Sequence, residues 1–400
     1  MSGVTKHIFD SDIREILSMW CNQLKKIYPT LPREYSKTDI IKALKLYYPH
    51  EWDSVQAKYI YYTQKDKFIK KRFGKARYNM KSPELLLEIS KQYQIIISEK
   101  KKFTHYNNFT EKAARIAREK LLRKRKPKIE KINCKIEKAT SKVQQVTPKY
   151  IDQLIGLYER KNTSQRDKLY ILMELKKYYS PKIVQFFFKL NDVELNKQLR
   201  NEAFIYLQNF NYQPRARRQK YMQVHSNSKK RKNYLKNIYT NEISHIEKTP
   251  DELEYRIHNS NEQKIKRYDF FISHCYKDSG IVQKLIEFEN KQGNDVFCDW
   301  INDSDYLRRN LLCEATLNVI EKRLEQSSAL IFVKSEFSLS SIWCKYELNY
   351  FYELKKPIYY IDAADILKGH FSILPENSKW FIDNNYKNAV LFEGTNVAAN

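Results

Sequence analysis

The last third of this chain alternates short apolar runs with amphipathic helical patterns, and that alternation leaves few folds open. Residues 268–273 (YDFFIS), 295–299 (DVFCD), 328–333 (SALIFV), 357–361 (PIYYI) and 389–393 (AVLFE) read as strands. Between them, residues 280–291, 308–326 and 342–355 carry helical spacing, with Leu312, Ala315 and Val319 on the inner face of the second helix. Strands and helices of these lengths in alternation predict a five-stranded parallel sheet with helices on both faces, a flavodoxin-like α/β domain. Ligands of such sheets bind beyond the carboxyl ends of the strands. Here those ends are Ser273-His274, Asp299-Trp300 and Lys334-Ser335, and they converge on one rim.

Upstream the chain changes character. Only 7 glycines and 11 prolines punctuate 400 residues, so the long first part has few positions for turn-rich β structure and reads as helical. Residues 1–108 form a helical module, its first helix striped by Ile13, Ile16, Leu17, Trp20 and Leu24, its second capped by Ser36 and running from Lys37 to Tyr48. The helix spacing allows a helix-turn-helix; a plain helical bundle is the reading adopted. Residues 109–146 are a basic helix, stopped at Pro127, and a linker. Residues 147–245 read as two helical hairpins of HEAT type with a basic tail. Thr147-Pro148 and Ser180-Pro181 are cap-then-proline starts, Ser164 with Asp167 resembles a capping box, and Leu195, Leu199, Ala203, Leu207 and Phe210 form one stripe. Residues 246–266 read as a linker, and residues 267–400 as a closed α/β set. The expected architecture is therefore multidomain, an all-α N-terminal region followed by the α/β domain.

Charge follows the same division. Residues 267–400 hold 15 basic and 19 acidic side chains, a net of −4, so the rest of the chain's +26 places +30 on residues 1–266. Such a basic region suits nucleic acid or another acidic trigger, and it equally suits solvated lysine-rich helix faces. The six cysteines show no CxxC pair and no zinc spacing, which predicts reduced, mostly buried thiols and no metal. No run is long enough to span a membrane, and the first residues lack an apolar signal core, so a cytoplasmic protein is expected. A glycine-rich phosphate loop, an HExxH pair and a nucleophile elbow are all missing.

What remains at the rim is carried by two segments, FISHCYKD (271–278) and SLSSIWCKYEL (338–348). In the second, Trp343 and Glu347 lie four apart and share one helical face. A lone helical glutamate is ordinarily solvated; the aromatic, Ser340, Ser341 and an apolar sheet beneath set this one apart. Together the two segments resemble the TIR (Toll/interleukin-1 receptor homology) domain in its bacterial NAD-cleaving form, over about residues 267–400.

The resemblance implies a catalytic Glu347 in the W-x-x-x-E arrangement 343–347, with NAD+ as substrate and no further cofactor. It implies substrate contacts from Ser273, His274, Asp299, Trp300, Asp303, Ser341 and Trp343. The segment Asp299 to Leu307 stands where the family's BB loop lies, without the Pro-Gly pair of animal receptors. It also implies self-association through the TIR domain and a role in antiphage defence or stress signalling, with the helical region sensing or assembling. One carboxylate suits this chemistry, because nicotinamide leaves as a neutral ring and needs no general acid, unlike an ordinary glycoside that requires two carboxylates. His274 and Cys275 are open to a second reading as packing residues at a strand end, and Phe271 reads as core. A non-catalytic TIR interaction module remains the alternative to an enzyme.

Overall fold

The computed structural model describes residues 4–215, 228–230, 232–233, 241–307 and 313–376. The expected strand at 389–393 and most of the second basic segment lie outside them. Contacts gather the chain into two compact units, Met1–Lys138 with Leu207–Tyr221, and Ala139–Tyr206 with Met222–Asn400.

The first unit is helical, as its stripes require. Helix Val4–Ile27 buries Trp20, Leu24 and Ile27 against Ile40 and Leu44 of helix Lys37–Tyr47 and Trp52 and Val55 of helix Pro49–Phe73. Ser36 caps the second helix in a full capping box with Asp39. Gly74 ends the third at φ 79°, a left-handed position that favours glycine. The basic helix runs from Glu111 to Thr140, through Pro127 rather than stopping there. Pro127 lies on an exposed face, where water can serve the carbonyl its missing N–H leaves unpaired. Its arginines are partly committed: Arg118 donates to the Thr30 carbonyl at 2.9 Å and Arg125 to the Tyr47 carbonyl at 2.8 Å.

The second unit contains the sheet. Strands β1 (Tyr268–Ser273), β2 (Val296–Phe297), β3 (Ser327–Lys334), β4 (Ile358–Asp362) and β5 (Leu374–Pro375) lie in the order β2-β1-β3-β4-β5. The first four are parallel, which is the doubly wound flavodoxin-like order. The fifth departs from the expected parallel arrangement: β5 pairs antiparallel with β4, Tyr360 opposite Leu374. A parallel neighbour needs a crossover of roughly a dozen residues or more. After β4 only the short helix Ala363–Leu367 and a brief return intervene, so the chain can pair only in reverse. Successive residues of β1 face opposite layers. Ile272 joins Val282, Ile286, Val333 and Ile361 on one side, and Phe271 joins Phe297, Leu330, Phe332 and Leu348 on the other.

The helical hairpins belong to this unit. Helices Ile151–Glu159 and Gln165–Leu175 form the first pair, and helix Pro181–Val193 opens the second after Ser180. The segment expected as a linker is itself folded: helix Pro250–Asn259, capped by Thr249, buries Leu253 and Ile257. What joins these helices to the sheet is polar. Gln144 serves the edge strand β2 as a pairing partner would: its amide donates to the Val296 carbonyl (2.5 Å) and accepts from the Val296 N–H (3.2 Å). Deeper in, Arg323 donates to Asp303 at 2.7 Å with both side chains fully buried. Lys177 reaches Asp303 at 3.3 Å and Glu174 at 2.8 Å, and Lys266 reaches Glu174 at 2.6 Å. Gln263 bridges Glu174 and Arg323, donating to the first (3.0 Å) and accepting from the second (2.9 Å). The surrounding cations hold the Glu174 and Asp303 carboxyls below their usual range despite burial. Burial and the nearby Arg323 charge pull the Lys266 ammonium down to about 7.

Among the described residues no helix is long and apolar enough to cross a membrane. Of the six cysteines, Cys298 and Cys344 are buried while Cys134 and Cys313 are exposed, so the thiols are less buried than composition suggested.

Breaking a buried ion cluster from one side strands the opposite charge. Arg323→Ala is therefore expected to cost about 3–5 kcal/mol, read as a lower denaturant midpoint for the transition of the sheet-containing unit. An unchanged midpoint would show that Asp303 needs no buried cation.

Candidate active site

The carboxyl ends of β1 and β3 and the helix after β3 build the site. Ser335 caps the short helix Glu336–Ser340, and Ser341 caps the next, Ile342–Glu353, by accepting from the Cys344 N–H at 3.4 Å. That start sets the phase of the second helix, so that Glu347 points to the end of β1. There the Ser273 hydroxyl, fully buried, donates to Glu347 Oε2 at 2.6 Å. The two loops are also tied together, because Ser335 Oγ donates to the Asp278 carboxylate at 2.5 Å.

Glu347 is partly exposed as a residue, yet its carboxyl is pushed up to about 8. Burial is the main cause and the Asp299 charge adds to it, while the Ser273 hydrogen bond works in the other direction. The neighbouring Cys298 and Cys344 thiols are raised as well, chiefly by burial and then by nearby carboxylates. Both stay protonated near neutral pH, which makes them poor nucleophiles. The centre is thus one carboxyl in an apolar setting with a single hydroxyl donor.

The structure sorts the residues expected at the site. Ser273 and Glu347 meet. His274 and Asp299 approach each other across the ends of β1 and β2, His274 Nε2 lying 4.0 Å from Asp299 Oδ1. The His274 ring is 4 % exposed, and its Nδ1 lies 3.2 Å from the Ile272 carbonyl. Trp300 packs half-buried beside the Ile272 cluster, and its indole N–H has no hydrogen-bond partner among the described residues. Trp343 leans on the opposite apolar layer, edge-on to Tyr346 at 6.5 Å. Ser341 is occupied as a helix cap. Asp303 is drawn away altogether: fully buried and paired with Arg323, it anchors the segment that follows β2 instead of facing the rim.

Sequence reasoning missed the loop tie between Asp278 and Ser335, the Asp303 anchors Arg323 and Lys177, and Cys298, which sits behind His274. None of these partners shares a motif. Lys177 and Asp303 lie 126 positions apart, a separation that spacing cannot reveal.

Comparison with known proteins identifies the family. Residues 271–365 match the family described as Thoeris protein ThsB, TIR-like domain. A Cytobacillus dafuensis protein with the provisional name cyclic ADP-D-ribose synthase TIR2 is 36% identical over 387 residues, 94% of this chain and 96% of that one. A Bacillus cereus (strain MSX-D12) protein, provisionally named 3′ cyclic ADP-D-ribose synthase ThsB′, is 33% identical over 98 residues, 24% of this chain and 50% of that one. Toll-like receptor 2 of Bos indicus is 35% identical over 83 residues, 21% of this chain and 10% of the receptor. No solved structure matches. With similarity running through nearly all of both chains and the TIR-like match enclosing Ser273 and Glu347, this chain belongs to the bacterial TIR-domain family that includes the C. dafuensis protein.

Proposed function

We propose that this protein cleaves the nicotinamide–ribose bond of NAD+ and closes the remaining ADP-ribosyl group on itself to a cyclic product, with Glu347 as the catalytic carboxylate. The observation that carries this reading is the Ser273–Glu347 pair at the sheet's carboxyl rim. In NAD+ the nicotinamide ring is cationic and departs neutral, while positive charge builds on the ribose. An ionised Glu347 beside that ribose stabilises the developing oxocarbenium ion and can grip its hydroxyls. The substrate's own cation favours the ionised form of a carboxyl that burial otherwise holds protonated. Ser273 keeps the carboxylate oriented, and the half-buried Trp300 offers a ring face to the substrate. Cyclisation needs a nucleophile of the same molecule to reach the ribosyl carbon before water does, so an apolar wall around one carboxylate suits it better than an open rim. The names carried by the relatives point the same way.

The reading extends to context. Self-association through the TIR domain fits the exposed Tyr276 and Phe337 at this rim, 57% and 45% accessible. The protein acts in the cytoplasm as a defence or stress effector, and the helical region senses the trigger or drives assembly. Its +30 charge makes a polyanion the trigger class to test. Binding of single- or double-stranded nucleic acid should then fall steeply with added salt, as released counterions require; absence of binding at low salt in a mobility assay removes that trigger.

Incubation of concentrated, self-associated protein with NAD+ should yield nicotinamide and a cyclic ADP-ribose isomer, one water lighter than ADP-ribose by mass. ADP-ribose alone would make the enzyme a hydrolase, and no consumption would leave an interaction module. Glu347→Gln keeps shape and loses charge, and should lower the NAD+ turnover rate about a hundredfold or more; equal turnover would place the chemistry elsewhere.

Stability gives an independent check. Because the folded carboxyl is raised from 4.5 to about 8, the native state holds a proton that the unfolded chain has released between those values. Glu347 therefore contributes less stability as pH climbs through that window, whereas glutamine does not titrate. Glu347→Gln should match the parent near pH 4.5 and exceed it by roughly 1–3 kcal/mol near pH 8 in denaturant unfolding. A difference that ignores pH would mean that Glu347 is not held protonated.

A further inference from the structure

A second chemistry is built into the same rim. His274 at the end of β1 and Cys298-Asp299 at the end of β2 place one imidazole nitrogen, one sulfur and one carboxylate oxygen within 4.8 Å of one another. We infer that His274, Cys298 and Asp299 form a binding site for a zinc-like divalent cation, with a fourth position open to water or substrate.

Three features point to a ligand set and away from an accidental cluster. The Ile272 carbonyl can only accept, so the 3.2 Å contact puts the proton of the neutral ring on Nδ1. The lone pair is then on Nε2, which faces the Asp299 carboxylate, 4.0 Å from its Oδ1. A backbone carbonyl holding the far nitrogen is how metal-binding histidines are commonly oriented. Cys298 is fixed from its main chain: its N–H donates to Asn302 Oδ1 at 2.9 Å and its carbonyl accepts from the Asn302 N–H at 2.8 Å. Asp299 is steadied by the Trp300 N–H at 2.8 Å, yet its side chain is 56% exposed and free to close in. Zinc takes nitrogen at about 2.0–2.1 Å, oxygen at about 2.0–2.2 Å and sulfur at about 2.3 Å, so a small swing of Asp299 completes the site. One nitrogen, one sulfur and one oxygen with an open position is the donor set of a borderline-soft cation, unlike the all-oxygen shells of magnesium or calcium. Binding displaces the Cys298 thiol proton to solvent.

Such a cation occupies the gap between β1 and β2 beside Ser273 and neutralises Asp299. It blocks the ends of the strands where the substrate's ribose is proposed to lie, which makes zinc an inhibitor of turnover. That consequence rests on the NAD+ reading; the metal readouts do not.

The experiment is titration of the full-length protein with Zn2+ against a chromophoric chelator, with Co2+ as an optical probe. The expected result is one Zn2+ per chain and a near-ultraviolet thiolate-to-cobalt band. Cys298→Ala should remove the band and weaken Zn2+ at least tenfold. Asp299→Asn should weaken Zn2+ similarly while keeping the band, and its exposed position leaves folding intact should the buried Cys298 variant unfold. Unsaturable binding, or binding lost with Cys134→Ser or Cys313→Ser and indifferent to Asp299, would assign the metal to exposed thiols and overturn the site. Saturating Zn2+ that leaves NAD+ turnover of an active parent unchanged would overturn the inhibition alone.

Discussion

The buried pairing of Asp303 with Arg323 is the contact on which the active-site side of this unit depends. Asp303 closes the short turn after β2, and Arg323 belongs to helix Glu314–Gln326, which leads directly into β3. Neither charge has water to fall back on, so each requires the other, and Lys177 with Glu174 extends the requirement to the first helical hairpin. The turn held in this way carries Asp299 and Trp300 to the rim. A rigid anchor at residue 303 is what lets a partly exposed residue four positions earlier hold a defined place beside His274. The same contact accounts for where Asp303 lies: in the loop expected to meet substrate, its carboxylate is fully buried and paired with Arg323.

The centre itself is a balance of three influences on one carboxyl. Burial and Asp299 favour the neutral acid, and Ser273 favours the anion. In the reaction proposed above, positive charge building on the substrate would shift that balance toward the anion. A fully solvated glutamate would be ionised throughout and worth less, because water screens it. A glutamate without Ser273 would lack the hydrogen bond that orients it. The arrangement also separates this site from two-carboxylate glycoside hydrolysis, where one group must remain an acid to protonate the leaving group.

Much of this was legible in the sequence, for physical reasons that can be named. The strand runs 268–273, 328–333 and 357–361 are long, apolar and β-branched or aromatic, and each became a strand of the sheet. Glu347 was marked by its spacing from Trp343 and by the serines that cap its helix, all local signals. Ser36 and Ser164 likewise announced the helices they cap. What stayed hidden depended on distance or on context. Pro127 stops a helix only where its orphaned carbonyl would be buried, and exposure is not written in a basic run. β2 shrank to two residues because helix Asp299–Asn302 starts directly after Cys298, and its outer edge is served by a glutamine side chain 152 positions upstream. Residues 250–264 are polar enough to read as a linker, since Leu253 and Ile257 are the only aliphatic pair of helix Pro250–Asn259 and much of the remaining burial comes through Arg256, Glu262 and Gln263.

These polar contacts also bear on what the helical hairpins are for. Composition divides the chain near residue 266, whereas contacts place Ala139–Tyr206 in one compact unit with the sheet. The connection before the hairpins supplies Gln144 to the edge strand, and the first hairpin supplies Tyr178 to the neighbourhood of Asp295 (3.4 Å) and Lys177 and Glu174 to the ion cluster. Taken alone, the sheet would expose the edge of β2 and leave Asp303, Arg323 and Lys266 with part of their charge uncompensated. Each is a cost that apolar packing between hairpins and sheet would not impose, because apolar faces tolerate small shifts and buried ion pairs do not. A hairpin that moved by an ångström would therefore act on Asp303 and, through the four-residue turn, on Asp299 at the rim. In this protein the helices nearest the sheet share one compact unit and one buried ion cluster with it.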